Sequence, residues 1–146
     1  MSTGIARARE ELFAAHLLAT TGFAAQSVGL SFRAALAAAE AALLLIDRVP
    51  DPVPAAVVSA FVSQVVRGRG LDPETGRRLR SLLNRAEQAN VDGAVPQQEA
   101  PTAIADATEV VDVVAKWIDE SNRKAGERAE SGKRVGKARA RPSRPR

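Results

Sequence analysis

The side chains of this sequence that can do chemistry are mostly arginines and carboxylates. The chain has no cysteine and one histidine, His16, so disulfides, thiolate nucleophiles and metal sites built from cysteine or several histidines are excluded. A Ser-His-Asp triad would have to use His16. Carboxylates are the side chains that remain for a hard cation, and we predict neither a metal site nor a cofactor.

The segment LLNRAEQANVDG, residues 82–93, places an arginine among amides and two acidic groups near the end of a helical pattern. This arginine, Arg85, is preceded by three others on the same predicted helix. Arg77 with Arg80, or Arg78 with Arg85, can share neighbouring surface that suits a phosphate or an acidic partner. The alternative interpretation is a solvated helix face.

Two titratable residues lie within apolar stretches. His16 lies beside the apolar stripe of its helix, and we interpret it as a packed or boundary residue because no second imidazole joins it. Glu40 is the one acid in AALAAAEAALLLI, and a buried carboxylate needs a cation or a hydrogen-bond donor. We consider Arg85, on another helix, as its partner; the alternative is that Glu40 lies on an exposed edge.

The elements that must position these side chains are helices. Alanine dominates the apolar fraction and aromatic residues are few, a composition that favours helix over sheet. The second helical segment is apolar around most of its circumference and should lie at the centre of a bundle. Apolar periodicity predicts helices over residues 5–21, 26–48, 54–67, 73–90 and 98–121.

Glycine, proline and acidic residues indicate where the helices end. Gly22 is a stop signal, and the three prolines of RVPDPVP exclude helix from that connector. The sequence LDPETGRRL gives the clearest start, because Asp72 can cap the helix, Pro73 suits its first position and Glu74 complements the helix dipole.

Charge divides the chain at about residue 122. Residues 123–146, called the basic tail below, hold ten basic and two acidic residues, net +8, whereas the preceding 122 residues hold eleven basic and fifteen acidic residues, net −4. Because Val135 is the only apolar residue of the tail larger than alanine, we predict that the tail is disordered and that residues 1–122 form one domain. The tail can bind nucleic-acid phosphates or act as a solvated extension.

The sequence gives no indication of export or membrane insertion. The N-terminal segment MSTGIARAREE has no long apolar region, and no apolar run approaches the roughly 20 residues that span a bilayer. We therefore expect a cytoplasmic protein.

Three stretches spread over about residues 5–120 resemble a known family. They are SVGLSFRAALAAAEAALLL, AAVVSAFVSQVVRGRGLDPETGRRLRSLLNRAEQAN and APTAIADATEVVDVVAKWI, and in order and spacing they resemble the HEPN domain of small prokaryotic proteins. The resemblance implies an all-α, five-helix up-and-down bundle that is usually a homodimer. It also implies a toxin–antitoxin pairing with a minimal nucleotidyltransferase.

The functional residues of the HEPN family are only partly present. Active members are metal-independent ribonucleases that use an arginine and a histidine four to six residues apart; Arg85 matches the arginine, and no histidine follows it. The histidine that opens the third helix falls near Pro54. The family's tyrosine pair falls on Phe32-Arg33, and its Ala-Asp-Tyr segment falls on Ala89-Asn90-Val91.

We therefore predict a catalytically degenerate HEPN-like module that contacts RNA, a nucleotide or a nucleotidyltransferase-like protein. One alternative is an active HEPN ribonuclease in which Arg85 works with Asn90, Asp92 or Arg33 in place of histidine. Another is a structural adaptor that binds nucleic acid through the basic tail. The ligand-binding candidates are Arg85, Asn90, Asp92, Arg33 and Arg78, of which Arg85 and Asn90 are also the catalytic candidates.

Overall fold

The computed structural model describes residues 3–140, and the side chains of residues 4–131. Over this part of the chain the secondary structure is helical, without strands, which confirms the predicted all-α fold with five helices. The helices are α1 (Thr3–Thr20), α2 (Ala24–Leu45), α3 (Pro54–Arg67), α4 (Pro73–Asp92) and α5 (Glu99–Ala140).

Helix α2 lies at the centre of the bundle, as its apolar circumference predicts, and it contacts each of the other four helices. Its alanines allow these neighbours to approach closely: a Cβ added to Gly4 of α1 would lie 2.9 Å from the Ala41 Cβ. The buried Ser27 hydroxyl donates a hydrogen bond to the Ala15 carbonyl at 2.8 Å. A polar group of α2 is thus satisfied by α1, and this bond fixes the two helices relative to each other.

The same helix is long and apolar enough, by length and composition, to cross a membrane. In the bundle, however, 56% of its most apolar window is buried inside the protein. A core helix shows this pattern, so α2 gives no strong evidence for a membrane span.

The second half of α3, Phe61–Arg67, is π-helical, which the sequence does not indicate. In a π-helix the hydrogen bonds join residues five apart and widen each turn, so residues separated by four and five positions face the same side. Phe61, Val65 and Val66 are accordingly all buried in the core. The apolar stripe that the sequence predicts for this helix, Val57, Phe61 and Val65, is buried although the helix type differs.

Glycines follow three of the described helices, and the first of them, Gly22, is the stop signal that the sequence predicts. Gly22, Gly70 and Gly93 have φ values of 88°, 77° and 73°, in the left-handed region that favours glycine, and each follows a helix. At the start of α4 the Asp72 carboxylate accepts a hydrogen bond from the Glu74 backbone N–H at 3.0 Å. Asp72 is therefore the N-cap that the sequence indicates.

Helix α5 continues to Ala140, past residue 122, where we placed the end of the folded domain. Packing does stop near that boundary, because Ile118 is the last buried apolar residue and the side chains of residues 122–131 are exposed. The helix continues because the tail is rich in Ala, Glu, Lys and Arg, which are good helix formers, and a helix already begun extends at little cost. Disorder is predicted for the whole tail; residues 123–140 are helical, and 141–146 lie outside the described residues.

Candidate ligand-binding groove

A groove of about 780 Å³ lies between α2, the start of α3 and the end of α4. Three positions identified through the HEPN resemblance line it although they are far apart in sequence: Phe32-Arg33 of α2, Pro54 of α3 and Asn90 of α4. We call it the Arg33–Asn90 groove. The packing of α3 and α4 on α2 therefore brings these positions to one place.

The Arg33 guanidinium lies on the exposed rim of this groove and is held only loosely. Its Nε is 3.8 Å from Oε2 of Glu11, and the Arg7 Nε lies 3.9 Å from the same oxygen. The Arg33 side chain is 63% exposed and that of Glu11 is 15% exposed. A long contact with an exposed arginine contributes little to stability, so Arg33 can reorient toward a ligand at low cost.

The walls of the groove are amphipathic. The apolar part comes from Leu30, Val53 and Leu83, and amide groups are supplied by Gln26 and Asn90. Arg33 and Glu87 are the only ionisable residues among the described residues that line the groove. Such a groove suits a small molecule or chain end with an apolar or planar face, amide-binding edges and one negative group.

Arg85 lies outside this groove, on the other edge of α4, against α5. Its Nη2 donates a hydrogen bond to Asp106 Oδ2 at 2.5 Å, and the Arg78 Nε lies 3.8 Å from Asp106 Oδ1. The Arg85 and Asp106 side chains are 21% and 30% exposed. Arg78 and Arg85 do share neighbouring surface, but the acidic group that they meet belongs to this chain.

Asp92 also lies outside the groove. It is exposed at the end of α4, where its Oδ2 accepts a hydrogen bond from the Gln88 Nε2 at 2.9 Å. The five candidate residues thus occupy three places: Arg33 and Asn90 in the groove, Arg78 and Arg85 against α5, and Asp92 at the end of α4.

The proposed pairing of Glu40 with Arg85 is wrong, because Arg85 is paired with Asp106 of α5. Glu40 is half-buried and lines a separate cleft with Arg7. Burial raises the pKa of the Glu40 carboxyl above its ordinary value of 4.5; the Arg7 charge lowers this pKa and the Glu11 charge raises it. The cation near Glu40 therefore comes from α1.

His16 lies at the edge of α1, in a cleft of about 820 Å³ between α1 and α5 that it shares with Glu109 and Asp112. Its side chain is exposed, as expected for a boundary residue, and it does not line the Arg33–Asn90 groove. Asp112 accepts a hydrogen bond from the Arg9 Nη1 at 2.7 Å. No group of three or more metal-binding side chains occurs in the described residues.

Sequence reasoning missed Asp106 and Gln26. Asp106 is one polar residue among several on α5, and nothing in its spacing marks it as the partner of Arg85. Gln26 belongs to the first turns of α2, where its exposed position gives no signal. Only the packing of one helix on another shows which of the exposed polar residues meet.

The chain was compared with models of protein families, with curated protein sequences and with solved structures. None of the three comparisons gave a match.

Proposed function

We propose that the protein is a HEPN-like, catalytically degenerate module that binds the end of an RNA chain or a nucleotide in the Arg33–Asn90 groove. In this proposal it belongs to a toxin–antitoxin-type system in the cytoplasm, forms a homodimer and has a nucleotidyltransferase-like protein as partner.

The observation that carries the proposal is the meeting of Phe32-Arg33, Pro54 and Asn90 in one groove. The resemblance selected these positions from their order in the sequence alone. Their convergence from three helices supports a ligand site at this place, because unrelated surface positions have no reason to converge on one concave surface.

The chemistry of the lining favours a nucleotide or an RNA end. A base can lie against Leu30, Val53 and Leu83, the amides of Gln26 and Asn90 can hydrogen-bond to its edge, and the Arg33 guanidinium can bind a phosphate. Cleavage would also require a group that removes the proton of the 2′-hydroxyl. Within the described part of the chain, Glu87 is the one carboxylate in the lining. Arg85 does not lie beside it, because Arg85 is paired with Asp106.

The affinity of the full chain for a fluorescein-labelled single-stranded RNA, measured by fluorescence anisotropy, tests this proposal. Arg33→Gln and Asn90→Ala should each weaken binding by about tenfold, the loss expected for one charge-assisted or buried hydrogen bond. Arg48→Gln is the matched control, since Arg48 is exposed at the end of α2 and outside the groove. Equal affinities for all four proteins would overturn the proposal.

The same samples decide between binding and cleavage. If the RNA is cut and Arg85→Ala abolishes cutting, the protein is the active ribonuclease of the first alternative. If the RNA stays intact while Arg33→Gln and Asn90→Ala weaken its binding, the degenerate module is supported.

The adaptor is a second candidate because α5 continues into the basic tail, where the side chains of residues 122–131 are exposed. Clustered basic residues bind nucleic acid by releasing counterions from phosphates. Deletion of residues 123–146 should abolish RNA binding if the tail is the whole site. A deletion that leaves most of the affinity intact, together with a loss in Asn90→Ala, favours the groove.

A further inference from the structure

A second concave site lies at the other end of α4, away from the Arg33–Asn90 groove. It is a pocket of about 400 Å³ formed by the π-helical half of α3 and the first turns of α4. We call it the arginine pocket. Its lining residues are Val62, Val66, Arg67, Pro73, Gly76, Arg77 and Arg80.

The charge of this lining is entirely positive. Among the residues that the structure describes, three arginines and no carboxylate line the pocket, although the residues before the basic tail carry a net charge of −4. Arg77 donates a hydrogen bond to Glu74 Oε1 at 2.9 Å. Glu74 itself does not line the pocket. Among the described residues no carboxylate forms an ion pair with Arg67 or Arg80, so at least two positive charges are available to a ligand.

The backbone forms the pocket in an unusual way. Val62, Val66 and Arg67 all belong to the π-helical segment Phe61–Arg67. Because π-helical turns are rare and often occur at functional sites, the segment is a second feature that points to this place. Gly76 lets α4 pack closely on it, since an added Cβ would lie 3.2 Å from the Val62 Cγ2.

We propose that the arginine pocket binds the diphosphate group of a small ligand. Arg67, Arg77 and Arg80 present planar donors that match phosphate oxygens, and Val62, Val66 and Pro73 offer an apolar wall for the rest of the molecule. At about 400 Å³, the pocket has room for a compact anion. This site goes beyond the proposed RNA groove and does not depend on it.

Nuclear magnetic resonance of the full chain tests the proposal, with inorganic pyrophosphate and ADP as probes and inorganic sulfate as a reference anion. Both probes should shift the backbone amide signals of Val62, Val66 and Gly76 at lower concentrations than sulfate does. If ADP binds more tightly than pyrophosphate, its nucleoside contributes contacts; if the two bind equally, the diphosphate is the whole recognised group.

Charge variants show whether the arginines are responsible. Arg67→Gln with Arg80→Gln should weaken pyrophosphate binding at least about tenfold, because two charge-assisted interactions are lost. Arg69→Gln is the matched control, since Arg69 is exposed two residues away and does not line the pocket. All three residues are exposed, so these variants should keep the helical circular dichroism of the native chain.

Three results would overturn the proposal: no shift at Val62, Val66 and Gly76, equal effects of sulfate and pyrophosphate, or unchanged affinity in the double variant. Arg33→Gln with Asn90→Ala should leave pyrophosphate binding intact. A failure of the RNA groove is therefore distinguishable from a failure of the arginine pocket.

Discussion

Asp106 determines the environment of Arg85. Its two carboxylate oxygens lie near the guanidiniums of Arg78 and Arg85, which are about two turns apart on α4. Because only 21% of the Arg85 side chain is exposed, removal of the carboxylate leaves a poorly solvated charge without an anionic partner; its Nε keeps only a long hydrogen bond to the Ser81 carbonyl, at 3.4 Å. At the scale of single residues, this ion pair joins α4 to α5.

We predict that Asp106→Asn lowers the free energy of unfolding by about 1–2 kcal/mol, between the values typical of exposed and buried ion pairs. The control is Asp112→Asn, because Asp112 forms an exposed ion pair with Arg9 at 2.7 Å, with side chains 52% and 48% exposed. That variant should change stability by less than about 0.5 kcal/mol. Urea unfolding measures both, and equal losses would contradict the structural role given to Asp106.

Glu40 gives a prediction about pH. Burial raises the pKa of this carboxyl, so the folded state binds its proton more tightly than the unfolded state does. The associated stability is present below the ordinary pKa of 4.5 and is lost as the pH rises through the raised pKa. Glu40→Gln, which cannot ionise, should therefore be more stable than the native chain at pH 7.

The gain from Glu40→Gln should disappear at pH 4, where the native Glu40 is protonated. Urea unfolding at the two pH values measures this difference. Glu87→Gln, which removes an exposed carboxylate of α4, is the control for the loss of one negative charge. A gain in Glu40→Gln that is the same at pH 4 and pH 7 would show that burial of the carboxylate is not its cause.

At the scale of helices, α4 has an aspartate at each of its two ends. Asp72 caps the positive end, whereas Asp92 lies at the negative end. We predict that Asp72→Ala destabilises the protein by about 1 kcal/mol, and that Asp92→Ala is neutral or slightly stabilising because it removes a negative charge from a helix C-terminus. Thermal unfolding compares them, and equal losses would contradict the capping role.

Local signals allowed the fold to be predicted from the sequence. The periodicity of α2, the Asp72-Pro73 start and the glycines after the helices depend on neighbouring residues, which the sequence shows directly. Two features depend instead on how the helices pack: the π-helical half of α3 and the separation of Arg85 from Asn90. One side of α4 faces α2 and α3, the other faces α5, and this division places the two residues apart. Sequence spacing gives that information only once the packing of the helices is known.

The end of α5 shows the same limit. The composition of the tail predicts that it packs no hydrophobic core, and the exposed side chains of residues 122–131 agree. Composition does not show that the last helix of the bundle, α5, continues into the tail. We predict that deletion of residues 123–146 lowers the helical circular dichroism signal and changes the midpoint of thermal unfolding by less than about 2 °C, since few contacts are lost. A large decrease in the midpoint would show that the tail packs on the bundle.

At the scale of the whole molecule, the charges and the candidate sites are distributed unevenly. The domain before the tail is acidic and the tail is strongly basic. The Arg33–Asn90 groove and the arginine pocket lie at opposite ends of α4. Long-range attraction of a polyanion would come from the tail. The Arg33–Asn90 groove, with one arginine and one glutamate, would supply short-range recognition instead.

Recognition of RNA in the Arg33–Asn90 groove is tested most directly by photocrosslinking. The full chain is crosslinked to an RNA that contains 4-thiouridine, and the crosslinked peptides are identified by mass spectrometry. We predict adducts on peptides from residues 24–33, 53–55 and 83–93, the segments that line the groove, and fewer of them in Asn90→Ala. Adducts confined to residues 123–146 would contradict the claim and assign RNA binding to the basic tail.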